Sequence, residues 1–167
     1  MKRNLLWFFG LAIMAATTFT MTSCEDDPCK DVKCGDNGEC FDGACVCNVG
    51  FEGTNCDVAW ADKFAGTWAA VETSTGTSGP LTNSYNVIIS KVSENKIKLV
   101  NLGAFGGDQS VEFELTAADK VSMVGTNVPE GQKFTGTATF ADGKITVTYV
   151  TTYSDNTTDE ATGTWTK

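Results

Sequence analysis

Histidine is absent from the chain, and Arg3 is its only arginine. The first absence removes the commonest general base and the commonest metal ligand. The second, with 12 basic residues against 21 acidic ones, argues against nucleic acid as a partner, because phosphate contacts need lysine or arginine. Neither G-x-S-x-G nor G-x-x-x-x-G-K-S/T occurs, so the chain lacks a nucleophile elbow and a strand-to-helix phosphate cradle. There is no C-x-x-C, and no histidine to complete a Cys/His set, which speaks against a zinc site or a thiol-redox motif. No cysteine lies beyond Cys56. Proline is confined to Pro28, Pro80 and Pro129. No apolar run reaches the roughly 20 residues of a bilayer-spanning helix.

What is present begins with an export signal. Lys2 and Arg3 form a positive start, Leu5 to Ala16 is an uninterrupted run of apolar residues and glycine, and the small and polar residues Thr17 to Ser23 come next. Met21-Thr22-Ser23-Cys24 resembles a bacterial lipobox, with methionine where leucine is usual. The resemblance implies cleavage before Cys24, diacylation of its sulfur and a new N-terminus there. Glu25-Asp26-Asp27 resembles the acidic tag that sends some Gram-negative lipoproteins to the cell face. The alternative is a plain secretory signal that leaves Cys24 free. Cysteine arithmetic favours the lipobox: seven is odd, and the other six pair naturally in one module. The expectation is a chain anchored by lipid to the bacterial outer membrane, on the cell surface. Loss of Lys2 and Arg3 with the signal leaves 10 bases against 21 acids, a formal charge of −11.

All seven cysteines fall between Cys24 and Cys56, a density that points to an oxidising compartment. Six of them are spaced Cys29-x4-Cys34-x5-Cys40-x4-Cys45-x-Cys47-x8-Cys56. Six cysteines allow fifteen pairings, and spacing alone does not choose. The run Cys45-Val-Cys47-Asn-Val-Gly50-Phe51-Glu-Gly53-Thr-Asn-Cys56 resembles the ending of an EGF-like module. That resemblance implies the bridges Cys29–Cys40, Cys34–Cys45 and Cys47–Cys56. So short a segment buries too little apolar surface to fold alone, and each bridge adds roughly 2–4 kcal/mol. Asp42-Gly43 reads as a hairpin turn. Calcium is not expected: Pro28 stands where calcium-binding relatives carry Glu or Gln, and the Cys40–Cys45 loop is too short for the rest of that motif.

The remainder, 58–167, is predicted to be a separate β domain with no long linker before it. One helical turn is expected within 57–63, then strands at 66–74, 84–91, 96–102, 109–116, 120–125, 132–141, 144–152 and 159–166. Val111, Phe113 and Leu115 alternate with Glu112 and Glu114, and Ile145, Val147 and Tyr149 alternate with Thr146 and Thr148. Asp142-Gly143 is a strong hairpin signal. Short connections imply antiparallel neighbours, and about eight such strands can close into an up-and-down barrel that has no edges. Phe64-Ala-Gly66-Thr67-Trp68 resembles the G-x-W opening of lipocalin and calycin barrels, with Gly163-Thr164-Trp165 on the last strand. Those relatives stack an arginine on the tryptophan; here only Lys167 is near. The reading is mainly β, an EGF-like module plus an eight-stranded antiparallel barrel, with an antiparallel β-sandwich as the alternative.

No catalytic residue, metal or cofactor is assigned. Glu112 and Glu114 read as a solvent face, and Asp155, Asp159 and Glu160 as a solvated turn. Gly103 to Asp108 reads as a mobile connection with Phe105 at its tip, and Trp60 as a second exposed aromatic. Trp68, Phe105, Phe134, Tyr149 and Trp165 are candidate ligand contacts, should the barrel keep an open mouth. The tether Glu25–Pro28 reaches at most roughly 14 Å, which puts the module near the membrane as a stalk. Two functions fit. One is a non-catalytic binding or adhesion protein that meets a protein or glycan through the barrel; the other is a carrier of a small apolar molecule or glycan.

Overall fold

The computed structural model describes residues 27–76, 79–107, 109–126 and 131–167. The expected signal segment, Cys24 as the expected lipidation site and the acidic run before Asp27 lie outside the described residues.

The cysteine module is two hairpins and three bridges. Strand β1 (Gly38–Phe41) pairs antiparallel with β2 (Ala44–Cys47), and Asp42-Gly43 turns between them with φ of 49° and 80°. Positive φ at both central residues is the turn whose twist matches the flanking strands. β3 (Phe51–Glu52) pairs with β4 (Val58–Ala59). Cys29 is bonded to Cys40, Cys34 to Cys45 and Cys47 to Cys56. Little apolar surface is buried: Cys34, Gly50 and Cys56 are inside, while Phe41, Val46 and Val49 are exposed. Covalent bonds therefore replace a core here.

β4 runs directly into helix α1 (Trp60–Phe64), which leads into β5 (Gly66–Gly76). Beyond it lie β6 (Gly79–Ser93), β7 (Lys96–Val100), β8 (Ser110–Ala117), β9 (Lys120–Ser122), β10 (Gly125–Thr126), β11 (Lys133–Ala141), β12 (Lys144–Thr152) and β13 (Thr158–Thr166). Except for β9 and β10, each strand from β5 onward pairs antiparallel with the next; the last strand β13 pairs with the first, β5, and β11 pairs with both β9 and β10. β9 and β10 act as one strand interrupted at Met123, whose N–H and C=O both bond Gly136. The result is a closed eight-stranded antiparallel barrel. The sandwich alternative is set aside, because one continuous ladder closes on itself.

The interior is packed. Trp68, Phe64, Phe113, Phe134, Ile97, Leu115, Met123, Ile145 and Trp165 are each at most 2 % exposed. Outward positions carry threonines and charges, Glu112 and Glu114 among them. β5 and β6 extend beyond the expected strands: Thr75 faces Pro80 and Gly76 faces Gly79 in a ribbon that overhangs the barrel. Its sequence, Thr-Gly and then Gly-Pro-Leu-Thr-Asn-Ser, has no hydrophobic alternation to announce a strand, and the ladder between two partners supplies the order instead.

The two ends of the barrel differ. One end carries α1, the Ser93–Lys96 turn, the Asp142-Gly143 turn and the final residue. The module meets this end: the Trp60 N–H bonds the Gly50 carbonyl at 2.8 Å, the Trp60 indole bonds the Phe51 carbonyl at 2.9 Å, and the Ala61 N–H bonds the Glu94 carbonyl at 3.0 Å. Lys63 pairs with Glu52 at 2.7 Å across the same seam. Trp60 is thus a half-buried hinge pin between the two parts and not an exposed contact. The other end, the mouth, carries the β5–β6 ribbon, the segment 101–107 and the loop 153–157.

Candidate binding site at the barrel mouth

The mouth is organised by a carboxylate that no sequence motif marks. Glu72 lies on β5 in the inward register set by Trp68 and Ala70, and is only 4 % exposed. Tyr149 Oη–H donates to Glu72 Oε2 at 2.7 Å, and Trp165 Nε1–H donates to Glu72 Oε1 at 2.7 Å. No lysine or arginine bridges to Glu72 among the described residues; the two ion pairs there, Lys63–Glu52 and Lys91–Asp62, lie at the opposite end. Glycines on neighbouring strands make the room. Gly163 stands opposite Glu72 and Gly136 opposite Tyr149, and a Cβ at either would collide with that partner's backbone and side chain.

The tyrosines answer to that charge. Burial first, then the Glu72 charge, pushes the Tyr149 hydroxyl far above the ordinary tyrosine range, with Tyr85 adding to the effect. Tyr85 is raised by burial first and by Glu72 next. Tyr153, nearer the rim, is pushed up to about 12 by burial, by its hydrogen bond to Asp159 and by that residue's charge. Its hydroxyl donates to Asp159 Oδ2 at 2.9 Å. All three are therefore neutral hydrogen-bond donors well into alkaline solution.

The loop over the cavity is fastened, contrary to its reading as a mobile connection. The Gly103 N–H donates to Tyr85 Oη at 2.8 Å, the Gly106 N–H donates to Asn101 Oδ1 at 3.0 Å, and Asn101 Nδ2 donates to the Asn86 carbonyl at 2.9 Å. Gly103 has φ of 66°, and the space a Cβ would take is filled by the Phe105 ring. Phe105 is half-buried and turned inward, its centroid 6.0 Å from Phe134 and 6.4 Å from Tyr153; Phe134 in turn lies 5.8 Å from Tyr149. Together these groups border a cavity of about 200 Å³, with Glu72 and Tyr149 at its floor and Phe105, Tyr153 and Asp159 on its walls.

The aromatic residues singled out from the sequence thus divide. Phe105 and Tyr149 line the cavity, and Phe134 and Trp165 support it from beneath. Trp68 does not belong to it. It is 1 % exposed at the opposite end, donates its indole N–H to the Phe64 carbonyl at 2.7 Å, and meets Phe140 edge-on at 6.2 Å. Lys167 Nζ stands 4.5 Å from the Trp68 ring centroid and donates to the Ala65 carbonyl. Asp155, Asp159 and Glu160 do not gather. Asp155 accepts from the Thr157 hydroxyl and N–H, which holds its carboxyl below the usual range, while Asp159 turns to Tyr153. Among the described residues no three Cys, Asp or Glu side chains are grouped as metal ligands.

Comparison with known proteins bears on the two parts unequally. Residues 29–59 match the teneurin-like EGF domain family. No curated protein matches the sequence. Among solved structures, a redesigned β-barrel shares 17 % identity at a TM-score of 0.46, over 66 % of this chain and 96 % of that one. A Bacteroides ovatus protein of unknown function shares 13 % identity at a TM-score of 0.41, over 60 % of this chain and 40 % of that one. A Bacteroides fragilis protein, named as a candidate outer membrane protein, shares 16 % identity at a TM-score of 0.46, over 65 % of this chain and 52 % of that one. Likenesses this distant say nothing of function. The chain is an EGF-like module, similar over residues 29–59 to the teneurin-like EGF domain, joined to a closed eight-stranded antiparallel β-barrel.

Proposed function

We propose that this protein is a non-catalytic, surface-displayed lipoprotein of the bacterial outer membrane, in which the EGF-like module is a stalk and the barrel mouth is the recognition end. The observation that supports it is the polarity of the barrel. The module docks on the end closed by α1, and the cavity with buried polar groups opens at the other. A lipid on Cys24 puts the module next to the membrane and the mouth farthest from it. The packed interior favours this reading over a carrier of apolar cargo: a cavity of about 200 Å³ is smaller than the roughly 300–1,000 Å³ of pockets that enclose a drug-sized ligand.

The test is made on cells that express the full chain. Added protease should remove the barrel from intact cells, and the cells should bind components of an array of glycans and extracellular proteins. Phe105→Asp should abolish that binding, and deletion of 29–56 should abolish it on cells but not for purified protein. Protection from protease until lysis, or capture indifferent to Phe105→Asp, overturns the reading.

A further inference from the structure

Glu72 is the feature of the mouth that the stability of a barrel does not explain. Taking a carboxylate out of water costs several kcal/mol, and that cost is usually offset by a paired cation. Glu72 is 4 % exposed, Tyr149 and Trp165 donate to it, the Tyr85 hydroxyl stands near enough to respond to its charge, and all of these neighbours are neutral. A carboxylate offers about four acceptor positions, and among the described residues no lysine or arginine takes one of them. Gly163 clears space for the side chain on the neighbouring strand, so the ladder accommodates the carboxylate and does not force it into a gap.

Its surroundings share one electrostatic sign. Asp159 adds a second carboxylate on the wall, and among the described residues no lysine or arginine lines the cavity. The rest of the lining combines three aromatic rings, Phe105, Tyr149 and Tyr153, with the neutral polar side chains of Ser74, Asn83 and Thr151 and small or aliphatic residues. Aromatic faces and carboxylates together attract organic cations, since ring quadrupoles and desolvated anions both favour a positive group. A metal ion is a poorer fit, because no third ligand of the metal-binding kinds joins the two carboxylates among the described residues. A free anion is repelled, and the chain as a whole, at −9, draws cations toward it. The volume admits a compact head group and not a long chain.

We propose that the mouth cavity is a binding site for a compact organic ammonium ion, with Glu72 as its buried counter-ion and Phe105, Tyr149 and Tyr153 as its aromatic wall. This rests on the mouth being the recognition end and names the chemistry it recognises.

The test uses the purified full chain and three probes of one size: n-butylammonium chloride, n-butanol and sodium butyrate. The Trp165 indole N–H, bonded to Glu72, is the reporter, read as its ¹⁵N–¹H signal. n-Butylammonium should shift that signal saturably, with an affinity that weakens as salt rises, and the alcohol and the carboxylate should not. Glu72→Gln keeps the shape and removes the charge; it should lower the affinity at least about tenfold. Asp159→Asn should lower it several-fold, and it decides the matter at the rim should Glu72→Gln fail to fold. Equal shifts from the alcohol and the ammonium, unchanged affinity in both variants, or no shift from the ammonium each overturn the proposal. Those outcomes leave surface display intact, because it is read by protease on cells. Protease resistance on cells, with the ammonium still bound by purified protein, overturns surface display alone.

Discussion

The two ends of the barrel are built from the same kinds of side chain and finish them differently. At the closed end the Trp68 indole donates to a backbone carbonyl, Phe64 and Phe140 pack around it, and Lys167 covers its ring. The Trp68 indole and the Lys167 ammonium there both bond carbonyls of the chain itself. Beneath the mouth the Trp165 indole and the Tyr149 hydroxyl converge on a carboxylate that has no cation partner among the described residues. A well-packed leucine in place of Glu72 with apolar partners would serve stability as well or better, since buried charge is a weak route to it. The difference teaches that aromatic content does not mark the functional end; the direction of its hydrogen bonds does.

The comparison yields predictions in descending size. Trp68→Ala empties the closed end and should cost about 3–5 kcal/mol in a denaturant titration, against much less for Phe105→Ala at the half-buried rim. If the two cost the same, the ends are not distinct in packing. Gly163→Ala drives a methyl group into Glu72 and should cost about 1–3 kcal/mol, with a displaced Trp165 indole signal. An unmoved signal would show that Glu72 is not held by that clearance.

Alkali should strike the mouth first. The three tyrosines of the chain all lie there, and all have raised folded-state values. Above about pH 10 the unfolded chain loses tyrosine protons that the folded chain keeps, so stability present below that pH falls as pH rises toward the folded values. For Tyr153 that value is about 12, and for the other two it is higher. Absorbance at the tyrosinate band should stay flat until the protein unfolds; a titration near the ordinary tyrosine value would contradict the buried network. Smallest is Lys167→Met, expected to cost about 0.5–1 kcal/mol through the lost cation–π contact, with the Trp165 signal untouched.

Much of the fold was legible. The alternations at 111–115 and 145–149 and the Asp-Gly turns at 42–43 and 142–143 place strands and hairpins, and short connections make them antiparallel. The overhanging ribbon was not, because both its faces meet water and its pattern carries no period. Glu72 does have a signal in the sequence, though not a hydrophobic one. Trp68 fixes the parity of β5, so Ala70 and Glu72 must follow it inward, while Val71 turns outward at 52 % exposure. Parity, and not hydrophobicity, locates the buried carboxylate. Phe105 has no such signal, because a loop has no period; its inward turn depends on Gly103 and on Tyr85 from another strand.

The sequence by itself determined the division into a cysteine-stapled module and a cysteine-free β domain, the hairpin turns and which face of most strands looks inward. Those come from spacing, period and backbone sterics, all of which are local. Only the tertiary structure decided that the ladder closes, that the module and the cavity lie at opposite ends, and that Glu72, Tyr149 and Trp165 meet. Residues 72 and 165 are 93 positions apart and become neighbours because β13 pairs with β5, a contact that exists only once the barrel has closed.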